Sequence, residues 1–89
     1  MEVKKGKNKF YIGIEEAPLA EIIFSINEEG IIVAESTKVS EELGGKGAGK
    51  LILKELVDWA RKENRKIKPL CPFIIAQMEK NSEYHDMLA

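Results

Sequence analysis

Apolar and polar positions follow two different periods along the chain, and the change falls near its middle. In the first half, short segments rich in β-branched and aromatic residues alternate with turn residues, which is typical of β-strands. They predict three strands over residues 10–14, 19–26 and 31–39. The turn over residues 27–30 is short, and its Gly30 can adopt a positive φ. An antiparallel three-strand meander is therefore expected.

In the second half, apolar residues recur every three or four positions, which predicts one face of a long helix starting at Ala48. These residues are Ile52, Leu53, Leu56, Val57 and Ala60. The opposite side is charged, and Asp58 with Lys62 has the i,i+4 spacing of a stabilising ion pair. Asn64, followed by two basic residues, marks the expected end of the helix.

A fourth strand is predicted over residues 67–71, and Pro72 then begins a short helix that ends near Lys80. A strand, a helix and a strand in succession normally form a crossover, which makes the fourth strand parallel to the third. Pro69 cannot donate a hydrogen bond to a sheet, so this strand is expected at an edge or separating from its neighbour. The pattern predicts an α+β fold.

Length and composition indicate one small domain over residues 1–89, in which residues 1–9 are a polar, lysine-rich lead-in segment. The strands then occupy residues 10–39, the glycine loop and long helix residues 44–64, and the last strand, helix and tail residues 66–88. A core this small gains stability from a second subunit, as in a homodimer, or from a long bound ligand.

Charge and residue usage argue against several classes of function. The net charge of −1 disfavours a general nucleic-acid or membrane binder, and no apolar run is long enough for a signal peptide or a membrane span. One cysteine excludes an internal disulfide framework, and a single histidine beside it makes a metal site unexpected. A cytoplasmic protein without a metal and without nucleic-acid or membrane partners is expected.

The most distinctive segment lies between the third strand and the long helix. It reads Gly44-Gly45-Lys46-Gly47-Ala48-Gly49-Lys50. Glycine in a first helical turn costs up to about 1 kcal/mol relative to alanine, so four glycines here need a physical reason. Without Cβ atoms, the unpaired N–H groups at a helix start can surround an anion. The segment therefore predicts a phosphate-binding loop.

Two common phosphate motifs fit this loop poorly. The nucleotide P-loop, G-x-x-x-x-G-K followed by Ser or Thr, fails at its eighth position, which is Leu51. The dinucleotide fingerprint G-x-G-x-x-G, begun at Gly45, has Lys50 where its third glycine should be. The antiparallel meander before the loop also differs from the parallel strands of both folds. Spacing and topology argue against both motifs.

Val39 and the loop together resemble the acetyl-CoA signature of the GNAT superfamily of N-acetyltransferases, Q/R-x-x-G-x-G/A with a strand valine before it. Val39 matches the strand valine, and Gly47 and Gly49 match the two small positions. Gly44 replaces the usual Gln or Arg, which removes a side chain but keeps a backbone N–H.

Two C-terminal segments extend the resemblance. They read Leu70-Cys71-Pro72-Phe73 and Ser82-Glu83-Tyr84-His85-Asp86. Both are similar to the minimal, YjdJ-like group of the superfamily, although Ser82 stands where that group usually has proline. The resemblance covers residues 10–88 and implies a minimal GNAT-like fold, in which the fourth strand diverges from the third.

This resemblance implies an acetyl-CoA-dependent N-acetyltransferase that holds coenzyme A between the diverging strands. The residues expected to contact the cofactor are Val39, Gly44, Gly45, Lys46, Gly47, Ala48, Gly49 and Lys50. The acceptor would be an amine of a small molecule or of a protein. The alternative is a coenzyme A or acyl-CoA binding module with weak or no acyl transfer.

Two residues are candidates for catalysis. Cys71 precedes Pro72 at the start of the second helix, where the dipole favours a thiolate that could accept or position the acetyl group. It could equally be a small buried cysteine of the core. By the resemblance, Tyr84 would be the general acid for the departing thiolate. No spacing identifies a general base, and Glu21 and Glu35 are candidates only because they lie in the sheet.

Overall fold

Five strands form one mixed sheet, arranged in the order in which they occur along the chain. The computed structural model describes residues 1–89. Its elements are β1 (Val3–Lys5), β2 (Lys9–Ile14), β3 (Ala17–Ile26), β4 (Ile32–Val39), α1 (Ala48–Lys62), β5 (Ile67–Pro69) and α2 (Pro72–Lys80), with 3-10 turns over Glu41–Leu43 and Ser82–Met87. The predicted α+β fold and its order of elements are confirmed.

Strands β2, β3 and β4 form the expected antiparallel meander. In the turn between β3 and β4, the side chain of Asn27 accepts hydrogen bonds from the N–H groups of Glu29 and Ile31, at 2.9 and 3.0 Å. Gly30 has a φ of 79°, as the sequence indicated. This turn fixes the register of the two strands, because an asparagine side chain can replace a backbone acceptor.

The N-terminal segment contains a strand that the hydrophobic pattern did not predict. β1 pairs antiparallel with β2, from Val3 opposite Ile12 to Lys5 opposite Phe10. The pattern gave no signal because β1 has only one apolar residue. Lys5 instead places its ammonium group 4.8 Å from the ring centroid of Trp59, a cation–π contact that ties the edge strand to α1. Residues 1–9 are thus more than a polar lead-in segment.

Strands β4 and β5 are parallel but pair only between Ile32–Ala34 and Ile67–Pro69. A last backbone bond, from the N–H of Leu70 to the carbonyl of Ala34 at 2.9 Å, ends their contact. Residues 35–39 of β4 continue without a β5 partner. The predicted divergence is confirmed, and β5 is shorter than the predicted strand. An opening therefore lies beside the second half of β4.

Both helices pack on the same face of the sheet. The buried residues of α1 include the whole predicted face: Ile52, Leu53, Leu56, Val57 and Ala60. Ile74 and Met78 of α2 join them and the strand residues in one core of 18 buried side chains. Each fully buried aliphatic side chain contributes about 1.5–3 kcal/mol, so packing holds α1 in place. The opposite face of the sheet carries no helix.

The predicted tail is part of the fold. The N–H of Ala89 donates to the carbonyl of Ile67 at 2.9 Å, and Leu88 forms an isolated parallel bridge with the same residue. Met87 is buried in the core. The C-terminus therefore covers the outer edge of β5. Neither helix is long and apolar enough to cross a membrane.

Candidate functional site

A glycine-rich turn leads from β4 to α1. Gly45 and Gly47 both have a φ of 75°, in the left-handed region. A Cβ atom at either position would meet no other atom within 4 Å, so the backbone conformation and not crowding requires glycine there. Gly47 is the residue just before α1, and the left-handed turn therefore ends where the helix begins.

The start of α1 presents a cluster of backbone N–H groups without acceptors. They belong to Gly45, Gly47, Ala48, Gly49 and Lys50. The first bond to the helix start runs from the N–H of Leu51 to the carbonyl of Gly47 at 3.0 Å, and no side chain caps the helix. Unpaired N–H groups and the positive end of a helix dipole both attract anions. The geometry of the turn therefore suits an anion.

A groove of about 570 Å³ lies along this turn. Thr37 at the end of β4 and Phe73 at the start of α2 contribute to its walls. Of the eight residues expected to contact the cofactor, seven line it: Val39, Gly44, Gly45, Gly47, Ala48, Gly49 and Lys50. Its volume is within the range of about 300–1,000 Å³ that is usual for small-ligand sites.

The other two glycines of the turn have different reasons to be there. A Cβ atom at Gly49 would lie 2.9 Å from Cζ of Phe73, so the absent side chain lets α2 pack against the first turn of α1. Gly44 has an extended backbone, with φ −58° and ψ 135°, and a Cβ there would lie 3.2 Å from the carbonyl oxygen of Glu41. The Gln or Arg usual at this position would therefore be a tight fit.

A second cavity, of about 540 Å³, lies on the other side of the helix start. Its lining includes four lysines: Lys46, Lys50, Lys54 and Lys80. Lys46 faces this cavity and not the groove, while Lys50 lines both. The sequence prediction missed Lys54 and Lys80. The four-residue spacing from Lys46 through Lys54 could have revealed the former, because such residues share one side of a helix.

Cys71 lies at the start of α2, as predicted, and is half-buried. Its thiol donates to the hydroxyl of Thr37, with the sulfur 3.6 Å from Oγ1. Burial alone would raise the pKa of this thiol. The N–H of Ile74, the hydroxyl of Thr37 and the N–H of Phe73 outweigh burial and lower the pKa below its ordinary value. The thiolate is therefore easier to form here than in water.

Tyr84 lies in the 3-10 turn that follows α2 and lines the lysine cavity. Burial, and then the charge of Glu83, raise the pKa of its hydroxyl above its ordinary value. Cys71 instead contacts Thr37, which lines the groove. Cys71 itself lines neither cavity, so the structure does not bring the two catalytic candidates together in one cavity.

The two glutamates considered as general bases form contacts outside the groove. Glu35 accepts a hydrogen bond from Ser25 at 2.7 Å, and Glu21 lies 3.6 Å from the ammonium of Lys9. Neither lines the groove, whose one carboxylate is that of Glu41. No three His, Cys, Asp or Glu side chains come together as a possible metal site.

Comparisons with known proteins agree with this fold. The family model described as GCN5-related N-acetyltransferase matches residues 9–87. A similar solved structure, determined by NMR in solution, is that of a "GCN5-like putative N-acetyltransferase" from Staphylococcus aureus. It is 44% identical, the alignment covers 99% of this chain and 87% of that one, and the TM-score is 0.84. The comparison with curated proteins found no match.

The family match includes the glycine turn, the opening between β4 and β5, and both catalytic candidates. The solved structure shares the overall fold over nearly the whole of this chain. The resemblance seen in the sequence is thereby confirmed, and the chain belongs to the GCN5-related N-acetyltransferase family.

Proposed function

We propose that this protein binds acetyl-CoA in the groove at the start of α1 and transfers the acetyl group to an amine. The observation that carries the proposal is the cluster of five backbone N–H groups without acceptors, at residues 45 and 47–50. Charge-assisted hydrogen bonds contribute about 1.5–3 kcal/mol each, so a few of them are enough to anchor a diphosphate.

The residues around the turn fit the rest of the coenzyme. When bound, acetyl-CoA supplies an activated acetyl thioester on a long, flexible pantetheine arm. Val39 and Thr37 line the groove beside the part of β4 that has no β5 partner, which gives this arm a wall to lie against. The hydroxyl of Ser40, which also lines the groove, is buried without a hydrogen-bond partner and is a further polar group for a ligand.

The lysine cavity supports the same assignment. Lys46, Lys50, Lys54 and Lys80 bring four positive charges to one side of the anion-binding turn, in a chain whose net charge is −1. Lys54 is partly neutralised by Asp58 at 3.0 Å, so the other three supply most of the field. A coenzyme with several phosphate groups matches such a concentration of charge.

Two roles are open to Cys71 in the transfer. In one, its thiolate accepts the acetyl group and passes it on, while in the other it only orients the thioester for direct attack by the amine. A Cys71→Ala variant that keeps the full transfer rate would exclude the first role. Acetylation of the protein at Cys71, seen by intact mass in the absence of amine, would support it.

Tyr84 is proposed as the group that returns a proton to the departing thiolate. A tyrosine hydroxyl carries its proton at neutral pH, and the raised pKa of Tyr84 leaves this unchanged. Tyr84 lines the lysine cavity and not the groove, so this role requires the thioester end of the coenzyme to reach that cavity, and Tyr84→Phe is the variant that tests it. A fall in kcat with unchanged acetyl-CoA affinity supports it, and an unchanged kcat removes it.

Calorimetric titration with a set of fragments tests the binding site. Coenzyme A and acetyl-CoA should bind, whereas pantetheine, which lacks the phosphates, should bind far more weakly. At a free concentration of about 100 times its Kd, acetyl-CoA should stabilise the fold by about 2.7 kcal/mol, as measured in a thermal melt. Equal affinity for pantetheine and coenzyme A would contradict a phosphate site, and no binding of either would remove the proposal.

A coenzyme A binding module without efficient transfer is the second candidate, and the bare face of the sheet favours it. No helix covers the strand residues Tyr11, Glu21 and Lys38, so the fold builds no enclosed acceptor pocket there. The assay that separates the two candidates combines acetyl-CoA with small amines and lysine peptides. Release of free thiol together with acetylated amine indicates an enzyme, while tight binding without product indicates a module.

A further inference from the structure

One hydrogen bond between side chains crosses the opening between β4 and the chain that follows β5. Past the bond from Leu70 to Ala34, no backbone hydrogen bond joins the two sides. The link is the contact between the thiol of Cys71 and the hydroxyl of Thr37, at 3.6 Å. Because Thr37 lines the groove, a ligand held there lies beside this pair.

The direction of Thr37 depends on a β-bulge in β4. The pairing of β3 with β4 shifts between Ile23 and Phe24, which leaves Glu35 as an extra residue on β4. Side chains alternate across a strand, so one extra residue changes the face that the following residues occupy. Thr37 consequently pairs with the buried Ile22 and lies on the face that carries the helices.

A threonine hydroxyl suits both charge states of a thiol. It accepts the S–H of Cys71 when the sulfur is neutral, and it donates its own proton when the sulfur is a thiolate. The backbone N–H groups of Ile74 and Phe73 at the start of α2, and that of Thr37, favour the charged form as well, and all three remain in a Thr37→Val variant. Valine has nearly the same shape as threonine, but it offers neither a donor nor an acceptor.

The charged side chains of the neighbouring strands are directed elsewhere. Lys38 of β4 lies opposite Glu21 on the face of the sheet without helices, and Lys68 of β5 lies on that face too. Glu35 accepts a hydrogen bond from the hydroxyl of Ser25 on β3. From α1, Lys50 lines the groove as a cation, and from the 3-10 turn after β4, Glu41 lines it as its one carboxylate. The hydroxyl of Thr37 is thus the side-chain group bonded to the sulfur.

We propose that Thr37 is a positioning residue, which holds the sulfur of Cys71 at the wall of the groove and stabilises it as a thiolate. This inference rests on the proposed function, since the pair matters to transfer only if the groove receives an acetyl thioester. Thr37 acts through Cys71 and exchanges no group with the substrate itself.

The pH dependence of Cys71 alkylation tests this proposal on the free protein. Because the chain has a single cysteine, its rate of reaction with iodoacetamide reports on Cys71 alone. Thr37→Val should raise the pKa of Cys71, as read from the rate profile, by about one pH unit. At a pH below the pKa of Cys71, this substitution should slow alkylation about tenfold. Thr37→Ser keeps the hydroxyl and should reproduce the wild-type profile.

A Thr37→Val profile that coincides with that of the wild type would overturn the proposal. A Thr37→Ser profile displaced as far as that of Thr37→Val would also overturn it, because the methyl group would then be responsible. Circular dichroism and the melting temperature establish that each variant is folded. If Thr37→Val does not fold, Thr37→Ala removes the same hydroxyl and is judged by the same two outcomes.

Titration with acetyl-CoA keeps this proposal distinct from the proposed function. The alkylation experiment uses no coenzyme, so a raised pKa in Thr37→Val supports the role of Thr37 even if acetyl-CoA does not bind. Binding of acetyl-CoA together with an unchanged alkylation profile would support the function and remove the positioning role.

Discussion

The two ends of α1 differ in how their backbone groups are satisfied. At the C-terminal end, the carbonyl of Trp59 accepts from Glu63 at 3.0 Å, that of Ala60 from Arg65 at 3.0 Å, and that of Arg61 also accepts. At the N-terminal end, five N–H groups have no acceptor. A helix that only supported the fold would gain from capping both ends.

Side chains reinforce the same difference. The guanidinium of Arg61 donates to both carboxylate oxygens of Asp86, at 2.6 and 3.2 Å, and to the carbonyl of Glu83 at 2.5 Å. Lys66 also donates to the backbone of Asp86. The C-terminal end of α1 is thus fastened to the end of the chain. We call the C-terminal end of α1, which is bonded to the rest of the fold, the closed end, and the N-terminal end the open end. We propose that the open end binds a ligand.

The largest expected effect comes from Gly49, whose role at the open end is packing. Gly49→Val should lower the free energy of unfolding by about 1–3 kcal/mol, because its side chain would overlap the ring of Phe73. Adding Phe73→Leu should restore part of this loss, as measured by urea unfolding in a double-mutant cycle. Effects of the two substitutions that simply add would show that the contact is not responsible.

The left-handed residues at the two ends give a matched pair of variants. Gly47 has a φ of 75° and Asn64 a φ of 56°, and alanine at either site costs about 1–2 kcal/mol of backbone strain. Gly47→Ala should weaken acetyl-CoA binding about tenfold, because binding must restore the turn. Asn64→Ala should lower stability without changing the affinity. Calorimetry that finds equal losses of affinity for both would contradict the division between the ends.

Removing a positive charge at the open end should have a smaller effect on acetyl-CoA affinity. Lys46→Gln and Lys50→Gln should each weaken acetyl-CoA binding roughly twofold to fivefold at low salt, as exposed charges do. The differences should shrink in high salt because the charges are then screened. Lys62→Gln, at the closed end, is the control and should leave the affinity unchanged. A weakening that persists in high salt would point to a direct contact in place of a diffuse field.

The smallest effect concerns pH at the closed end. The hydrogen bonds from Arg61 hold the pKa of Asp86 below its ordinary value. A lowered pKa in the folded state contributes stability at neutral pH, and this contribution is lost as the pH falls through the folded-state pKa. Asp86→Asn should therefore melt slightly below the wild type at pH 7, with the two melting temperatures converging at low pH. A difference in melting temperature that stays the same as the pH falls would contradict a stabilising role for the ionised Asp86.

Much of the fold could be predicted from local patterns. The period of α1, the glycine turn and Pro69 each carry a strong local signal, so the helix, the loop and the divergence of β5 were foreseen. β1 was not, because its single apolar residue, Val3, gives no period. The 3-10 turn over Ser82–Met87 was also missed, since its long-range hydrogen bonds come from Arg61 and Lys66, which are distant in the chain.

The sequence indicated the part of the candidate groove that neighbouring residues of one segment form, and it gave no signal for the part that tertiary contacts form. Seven of the eight predicted cofactor residues line one groove, because they are nearly contiguous in sequence. Thr37 could not be found, since its direction depends on a bulge that appears only when β3 and β4 pair. The packing reason for Gly49 likewise depends on Phe73, which lies in another helix.

Titration of the uniformly 15N-labelled protein with acetyl-CoA is the most direct test of the division between the two ends of α1. At saturation, the amide signals of Gly45, Gly47, Ala48, Gly49 and Lys50 should show the largest shifts, because their N–H groups gain phosphate acceptors. The signals of residues 63–65, which are already bonded, should stay in place. Unchanged signals at the glycine turn, with acetyl-CoA bound, would contradict the account.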